Sequence, residues 1–396
     1  MSVVGNLSPV LFLTFRSLYG ISYTLLGLLI LINFVTQLIV DLIFSFFSPK
    51  FDIPKMVKMT PFIAVIGLGL YALAPILFPQ NVYVGLVIST IIFSASSGFA
   101  EVLISPVIAA IPSKDPDREM SKLHSIYAWG VVFVIVVSTV YLYFCGAENW
   151  QWLALFFAMI PLAAFILFLG SEIPKMETQE KISGVLVFLK NKKLWVCVLG
   201  IFLGGAAECA MAQWSSGYLE QALGLPKVWG DIFGVALFAV MLGLGRSLYA
   251  KCGKNIRNVL FVGAIGAVVC YLTAALVNIP VIGLLACAFT GFCVSMLWPG
   301  SLVVASERFP NGGVFIFAMM AAGGDLGASV APQLIGIITD AVSVNPNAIA
   351  YAQTIGLMPE QLGMKIGMLI GGLFPLVAIP LYLHIMKADK KDNTEI

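Results

Sequence analysis

Four carboxylates and one guanidinium stand inside long apolar runs of this chain: Asp41, Glu101, Glu208, Asp325 and Arg246. Insertion scales put such a charge at about 2.5–3.5 kcal/mol when it sits at the centre of a bilayer, so each must face protein or a water-filled cavity. Glu101 is the sharpest, deep in its apolar run, where a carboxylate that loads and releases a proton would do coupling chemistry. The alternative is a carboxylate held permanently by a hydrogen bond from a neighbouring helix. Glu208 is followed by Gln213 and Trp214, a carboxylate, amide and ring of the kind that grip a polyol. Helical spacing turns Gln213 about 140° from Glu208, so the two share a cavity only if the helix unwinds locally, as Gly204-Gly205 and Gly217 would permit. Trp214 also reads as an interfacial anchor.

Asp325 follows Gly323-Gly324 and either lines a pathway or locks onto Arg246. Trp298, beside Pro299, is a further substrate-side candidate, as is Asn6 near the start. His124 offers a hydroxyl donor or proton partner, or simply an interfacial helix start. Asn33 and Gln37 share a helix face as interhelical glue. Asp41 continues that face and reads as a gate or lock, a role shared by Arg246.

The elements that must carry these residues are membrane spans. Of 396 residues, 60% are hydrophobic and 11% charged, against about 45–50% and 25% in soluble domains. Runs of about 20 apolar residues give span 2 at 21–47, span 3 at 59–78, span 4 at 82–111, span 5 at 124–144 and span 6 at 150–170. A polar stretch, 171–193, carries eight charges. Spans 7 to 12 follow at 194–218, 228–249, 259–277, 280–306, 314–338 and 363–386. The first segment, Met1–Phe15, would reach only about 22 Å as a helix, short of a hydrocarbon core of about 30 Å. Span 1 is therefore expected to be truncated at its N-terminus.

Of 22 Lys and Arg residues, 19 fall on, or within about a turn of, one set of alternating connections and the C-terminal tail. The positive-inside rule makes that side cytoplasmic. The expectation is an all-α membrane protein with two six-helix bundles, 1–170 and 194–396, joined by a cytoplasmic linker at 171–193. The halves echo one another: Gly98-Phe99-x6-Pro106 in span 4 recurs 193 residues later as Gly291-Phe292-x6-Pro299 in span 10. Repeated bundles around a midplane site are an arrangement of solute transporters.

Several classes are excluded. No G-x4-G-K-[ST] phosphate loop, H-E-x-x-H or G-x-S-x-G occurs, so neither ATP hydrolysis nor a familiar enzyme is expected. The seven cysteines form no C-x-x-C pair, and no disulfide framework, zinc site or other cofactor is expected. A net charge of +2 without a basic, aromatic-interleaved stripe indicates no nucleic-acid partner. No cleavable signal peptide is read at the start.

The layout resembles the major facilitator superfamily and, within it, the fucose permease group of sugar–proton symporters. Gly98-Phe99-Ala100-Glu101, running to Ser105-Pro106, is similar to that group's G-x-x-E-x-x-x-N-P, and the resemblance implies that Glu101 carries the coupling proton. Met120-Ser121-Lys122-Leu123-His124, leading to Trp129-Gly130, is similar to the start of its fifth helix, with His124 where an amide stands. Gly5-Asn6-Leu7-Ser8-Pro9 resembles its N-N-L-N-D motif. Asn6 matches a substrate-side Asn, while the motif's Asp falls on Pro9. The superfamily's loop motif G-x3-D-[RK]-x-G-[RK] keeps Lys50 and Lys55 only, and no G-P-x-x-G-G antiporter run stands at 131–143. The resemblance implies a monomeric, proton-coupled symporter of the cytoplasmic membrane, taking a small polar solute such as a sugar or polyol. A proton-driven exporter and a non-transporting sensor of the same fold are the other expectations.

Overall fold

The computed structural model describes residues 1–47, 51–111, 116–173, 189–252, 255–309 and 313–392, and among these it contains helices and no strand. Span 1 divides into α1 (Ser2–Val10) and α2 (Phe12–Tyr19). The run therefore extends past Phe15, and the amide of Leu11 reaches both the Leu7 and Ser8 carbonyls at the joint. Then come α3 (Tyr23–Phe47), α4 (Ile53–Leu77), α5 (Val82–Ala110), α6 (Pro116–Cys145) and α7 (Trp150–Leu169). After the linker, α8 runs Lys192–Leu223 without interruption.

Span 8 is not one regular helix. A turn at Lys227–Trp229 leads into a π-helical segment, Gly230–Ala236, before α9 (Leu237–Cys252). After α10 (Ile256–Leu276), span 10 is likewise broken, into α11 (Pro280–Val294) and α12 (Leu297–Arg308). A continuous helix over 280–306 is thus corrected. The cause is Pro299, which has no N–H to give the carbonyl four residues back. The chain finishes with α13 (Gly313–Val344), a short α14 (Pro346–Thr354) that apolar runs do not reveal, and α15 (Pro359–Asp392). Ten helices among the described residues are long and apolar enough to cross a membrane, with a shorter apolar stretch at Trp129–Cys145.

The chain clusters into two compact units, 1–21 with 32–184, and 22–31 with 185–396. In the first, a ring cluster of Phe15, Tyr71, Phe93 and Trp150 joins α2, α4, α5 and α7 in edge-to-face pairs, the geometry aromatic quadrupoles favour. Ser8 Oγ meets Tyr71 Oη at 2.8 Å. In the second, α8 packs against α13 and α15. Small residues permit this: a Cβ on Gly323 of α13 would lie 2.8 Å from the Cγ1 methyl of Val198 on α8, and close helix approach in lipid needs such sites.

Candidate functional site

In the first unit, α3 and α5 are held by polar and close-packed contacts. Ser94 Oγ donates to Asn33 Oδ1 at 2.6 Å, and Gln37 Nε2 donates to the Asn33 carbonyl at 3.4 Å, so Asn33 does act as interhelical glue. One turn on, Gly98 lets α5 lie against α3, where a Cβ would stand 3.0 Å from that of Val40. This approach sets which side chains meet farther along both helices. Asp41 is 2% exposed, and one of its carboxylate oxygens lies within 4.8 Å of one on Glu101. The residue read as a gate is therefore the immediate neighbour of the residue read as a proton carrier. Asn6 is part-buried and donates from Nδ2 to the Ser2 carbonyl at 2.9 Å within its own helix. His124 belongs to α6, and its side chain lies outside the described residues.

In the second unit, Glu208 projects from α8 to Arg246 of α9. The guanidinium Nη2 stands 3.4 and 3.3 Å from the two carboxylate oxygens. Its Nε donates to the Ser295 carbonyl at 3.0 Å. Ser295 is four residues before Pro299, so its carbonyl is the one a proline leaves unserved in a helix. Around the break, Ser295 N turns to Phe292 O at 3.3 Å and the regular ladder resumes with Gly300 N to Met296 O at 2.8 Å. The residue before the arginine makes the reach possible. A Cβ on Gly245 would stand only 2.7 Å from that of Ser295. The sequence offered Asp325 as a partner for Arg246; the structure gives it Glu208 and a backbone carbonyl instead.

Asp325 is buried on α13, next to Gly324. The Trp298 ring lies over two glycines: a Cβ on Gly324 would be 2.5 Å from it and one on Gly205 2.8 Å. Gln213 is 8% exposed. Because α8 does not unwind, Gln213 leaves the helix about 140° around from Glu208. Trp214 is not an interfacial anchor. It is fully buried and donates from Nε1 to the Pro332 carbonyl at 2.9 Å.

The Ser295 break and the Asp41–Glu101 proximity went unforeseen. Pro299 and the Gly245-Arg246 pair signalled the first. Nothing local signalled the second, because it depends on how two helices are rotated. The internal echo has a structural counterpart in each unit. Gly98 brings span 4 against span 2, and Gly291 brings span 10 against span 8, where a Cβ would meet the backbone of Phe238. Equivalent glycines thus make equivalent approaches.

Solved structures share this architecture. The chain is similar to the structure of a bacterial homologue of the human lysosomal transporter Spinster in an inward-facing, unoccupied conformation, at 12% identity, covering 99% of this chain and 96% of that one with a TM-score of 0.72. It is similar to a D-xylose-proton symporter at 16% identity, covering 96% and 98%, with a TM-score of 0.67. It is similar to the E. coli fucose:proton symporter at 13% identity, covering 95% of both chains, with a TM-score of 0.59. At these identities the likeness is one of fold. No curated protein matches the chain in sequence. The profile of the Major Facilitator Superfamily matches residues 1–332. This multi-pass chain of apolar helices belongs to the Major Facilitator Superfamily of membrane transporters.

Proposed function

We propose that this transporter moves a small polar solute, a sugar or polyol, by proton-coupled symport with alternating access, and that Glu101 carries the proton. The observation that carries the reading is the placing of Asp41 within 4.8 Å of Glu101 inside two apolar helices. Carboxylate chains of this kind hand protons through membrane proteins, and a second acceptor beside the first gives the proton somewhere to go. The D-xylose-proton and fucose:proton symporters, which share the fold, supply the expected cargo class.

Substrate contacts are assigned to Asn6, His124, Glu208, Gln213, Trp298 and Asp325, with Arg246 holding the second bundle's broken helix. The basic connections and tail face the cytoplasm, the protein sits in the cytoplasmic membrane, and it works as a monomer. The test is uptake into proteoliposomes across a sugar and polyol panel under an imposed proton gradient. Glu101→Gln is expected to abolish accumulation while leaving substrate exchange measurable. Full accumulation in that variant would remove the coupling role.

A further inference from the structure

Two cysteines of the second unit meet across a helix contact. Gly263, Gly266 and Cys270 recur at helical spacing on one face of α10. Cys293, near the end of α11, packs into that face. A Cβ on Gly263 would stand 2.5 Å from the Cys293 carbonyl oxygen, and one on Gly266 would stand 2.7 Å from Cys293 Sγ. The two glycines thus let the helices approach closely and bring the Cys293 sulfur against α10 one turn before Cys270. The two thiols are hydrogen-bonded to one another. Cys270 also shares a hydrogen bond with the Thr290 hydroxyl, one turn back on α11.

The pair can be reached. Cys270 and Cys293 are both half-buried, whereas Cys287 of α11 is fully buried. Their chain neighbours Val269 and Phe292 are 57% and 38% exposed, as apolar residues on a lipid-facing surface are. An uncharged reagent dissolved in the bilayer therefore has access to the sulfurs.

Two thiols that converge from separate helices chelate a soft cation. Their number and setting narrow the class. Two sulfurs fall short of the four ligands of a structural zinc site. A monovalent ion such as Cu(I) would leave a bis-thiolate with a net negative charge, which is costly among apolar helices. Mercury(II) takes two thiolates in a complex without net charge. Both S–H bonds are given up, two Hg–S bonds form and two protons leave. No electron is transferred, so no oxidant is needed.

We propose that Cys270 and Cys293 form a two-thiol site for mercury(II), which on binding clamps α10 to α11. The proposal rests on packing inside one unit and is independent of the transported solute. The full chain in detergent would be titrated with mercury(II) chloride and then unfolded into excess maleimide. Cysteines left unlabelled would be located by mass spectrometry. The first equivalent is expected to leave both Cys270 and Cys293 unlabelled and to raise the apparent melting temperature. Cys270→Ser and Cys293→Ser should each weaken binding about 100-fold by removing the chelate, while Cys287→Ser should bind as the wild type does. Protection of a single thiol per mercury, protection of Cys270 together with Cys287, or an equal loss of affinity in Cys287→Ser overturns the site. The protection pattern is read on the wild type, so a serine variant that fails to fold does not blunt the test.

Discussion

The Nε of Arg246 donates to the carbonyl of Ser295 at 3.0 Å, the carbonyl that Pro299 cannot serve. Its Nη2 faces Glu208 at 3.3 Å. One side chain thus satisfies a carboxylate on α8 and the exposed backbone of a broken span. In lipid that backbone has no water to turn to. The arginine is therefore a structural support for the site and not merely a counter-charge.

Arg246→Met should lower stability by about 1–3 kcal/mol, below the 3–5 typical of a fully buried pair because both partners keep some exposure. Arg246→Lys keeps the charge but loses the planar donor pattern, so it should recover only part of the loss. The double variant with Glu208→Gln should cost less than the sum of the two singles, by about 1 kcal/mol. Thermal unfolding of the four proteins in one detergent measures the cycle, and strict additivity would show that the pair is not coupled.

Asp41→Asn should weaken accumulation and shift its pH dependence without abolishing exchange. If Asp41 and Glu101 act on one proton, the double variant Asp41→Asn with Glu101→Gln should be no worse than Glu101→Gln alone, because residues acting as a unit are not additive. Initial uptake rates over a pH series decide this.

The two echoed glycines should respond unequally. At Gly98 an added methyl crowds the Cβ of Val40 at 3.0 Å and the Cα of Gln37 at 3.2 Å, a misfit of a few tenths of an ångström that a small helix shift can absorb. The gain in helix propensity, about 1 kcal/mol, should roughly offset the crowding. At Gly291 it meets the backbone carbonyl of Phe238, which cannot yield. Gly291→Ala should therefore destabilise by about 1–3 kcal/mol while Gly98→Ala stays near neutral, as apparent melting temperatures would report.

Asp52 caps α4, accepting from Lys55 N at 3.2 Å and pairing with Lys55 Nζ at 2.9 Å. The side-chain hydrogen bond from Lys55 holds its carboxyl below the ordinary value. A depressed folded value means the contribution is present above the unfolded one, near 4, and is lost as pH falls through the folded one. Asp52→Ser should keep the cap and lose the pH dependence. The difference in melting temperature between the two proteins should shrink from pH 7 to 3, because only the wild type has the Asp52 contribution to lose.

Much of this protein is legible along its chain. Apolar length located most spans to within a few residues, because lipid forces every spanning backbone to be helical. Repetition of Gly-Phe and Pro marked the two halves, and the cost of charge in lipid picked out Glu101, Glu208 and Arg246. Tertiary structure decided which of these groups meet. Asp41 and Glu101 lie 60 residues apart in the chain, and Asp340 caps Tyr23 from 317 residues away. Each residue turns a helix face by about 100°, so a single step of rotation in either helix would have paired different side chains. Composition fixes that the helices cross the membrane; only the packing of Gly98 on Val40, or of Gly245 on Ser295, fixes the angle at which their few polar atoms find one another.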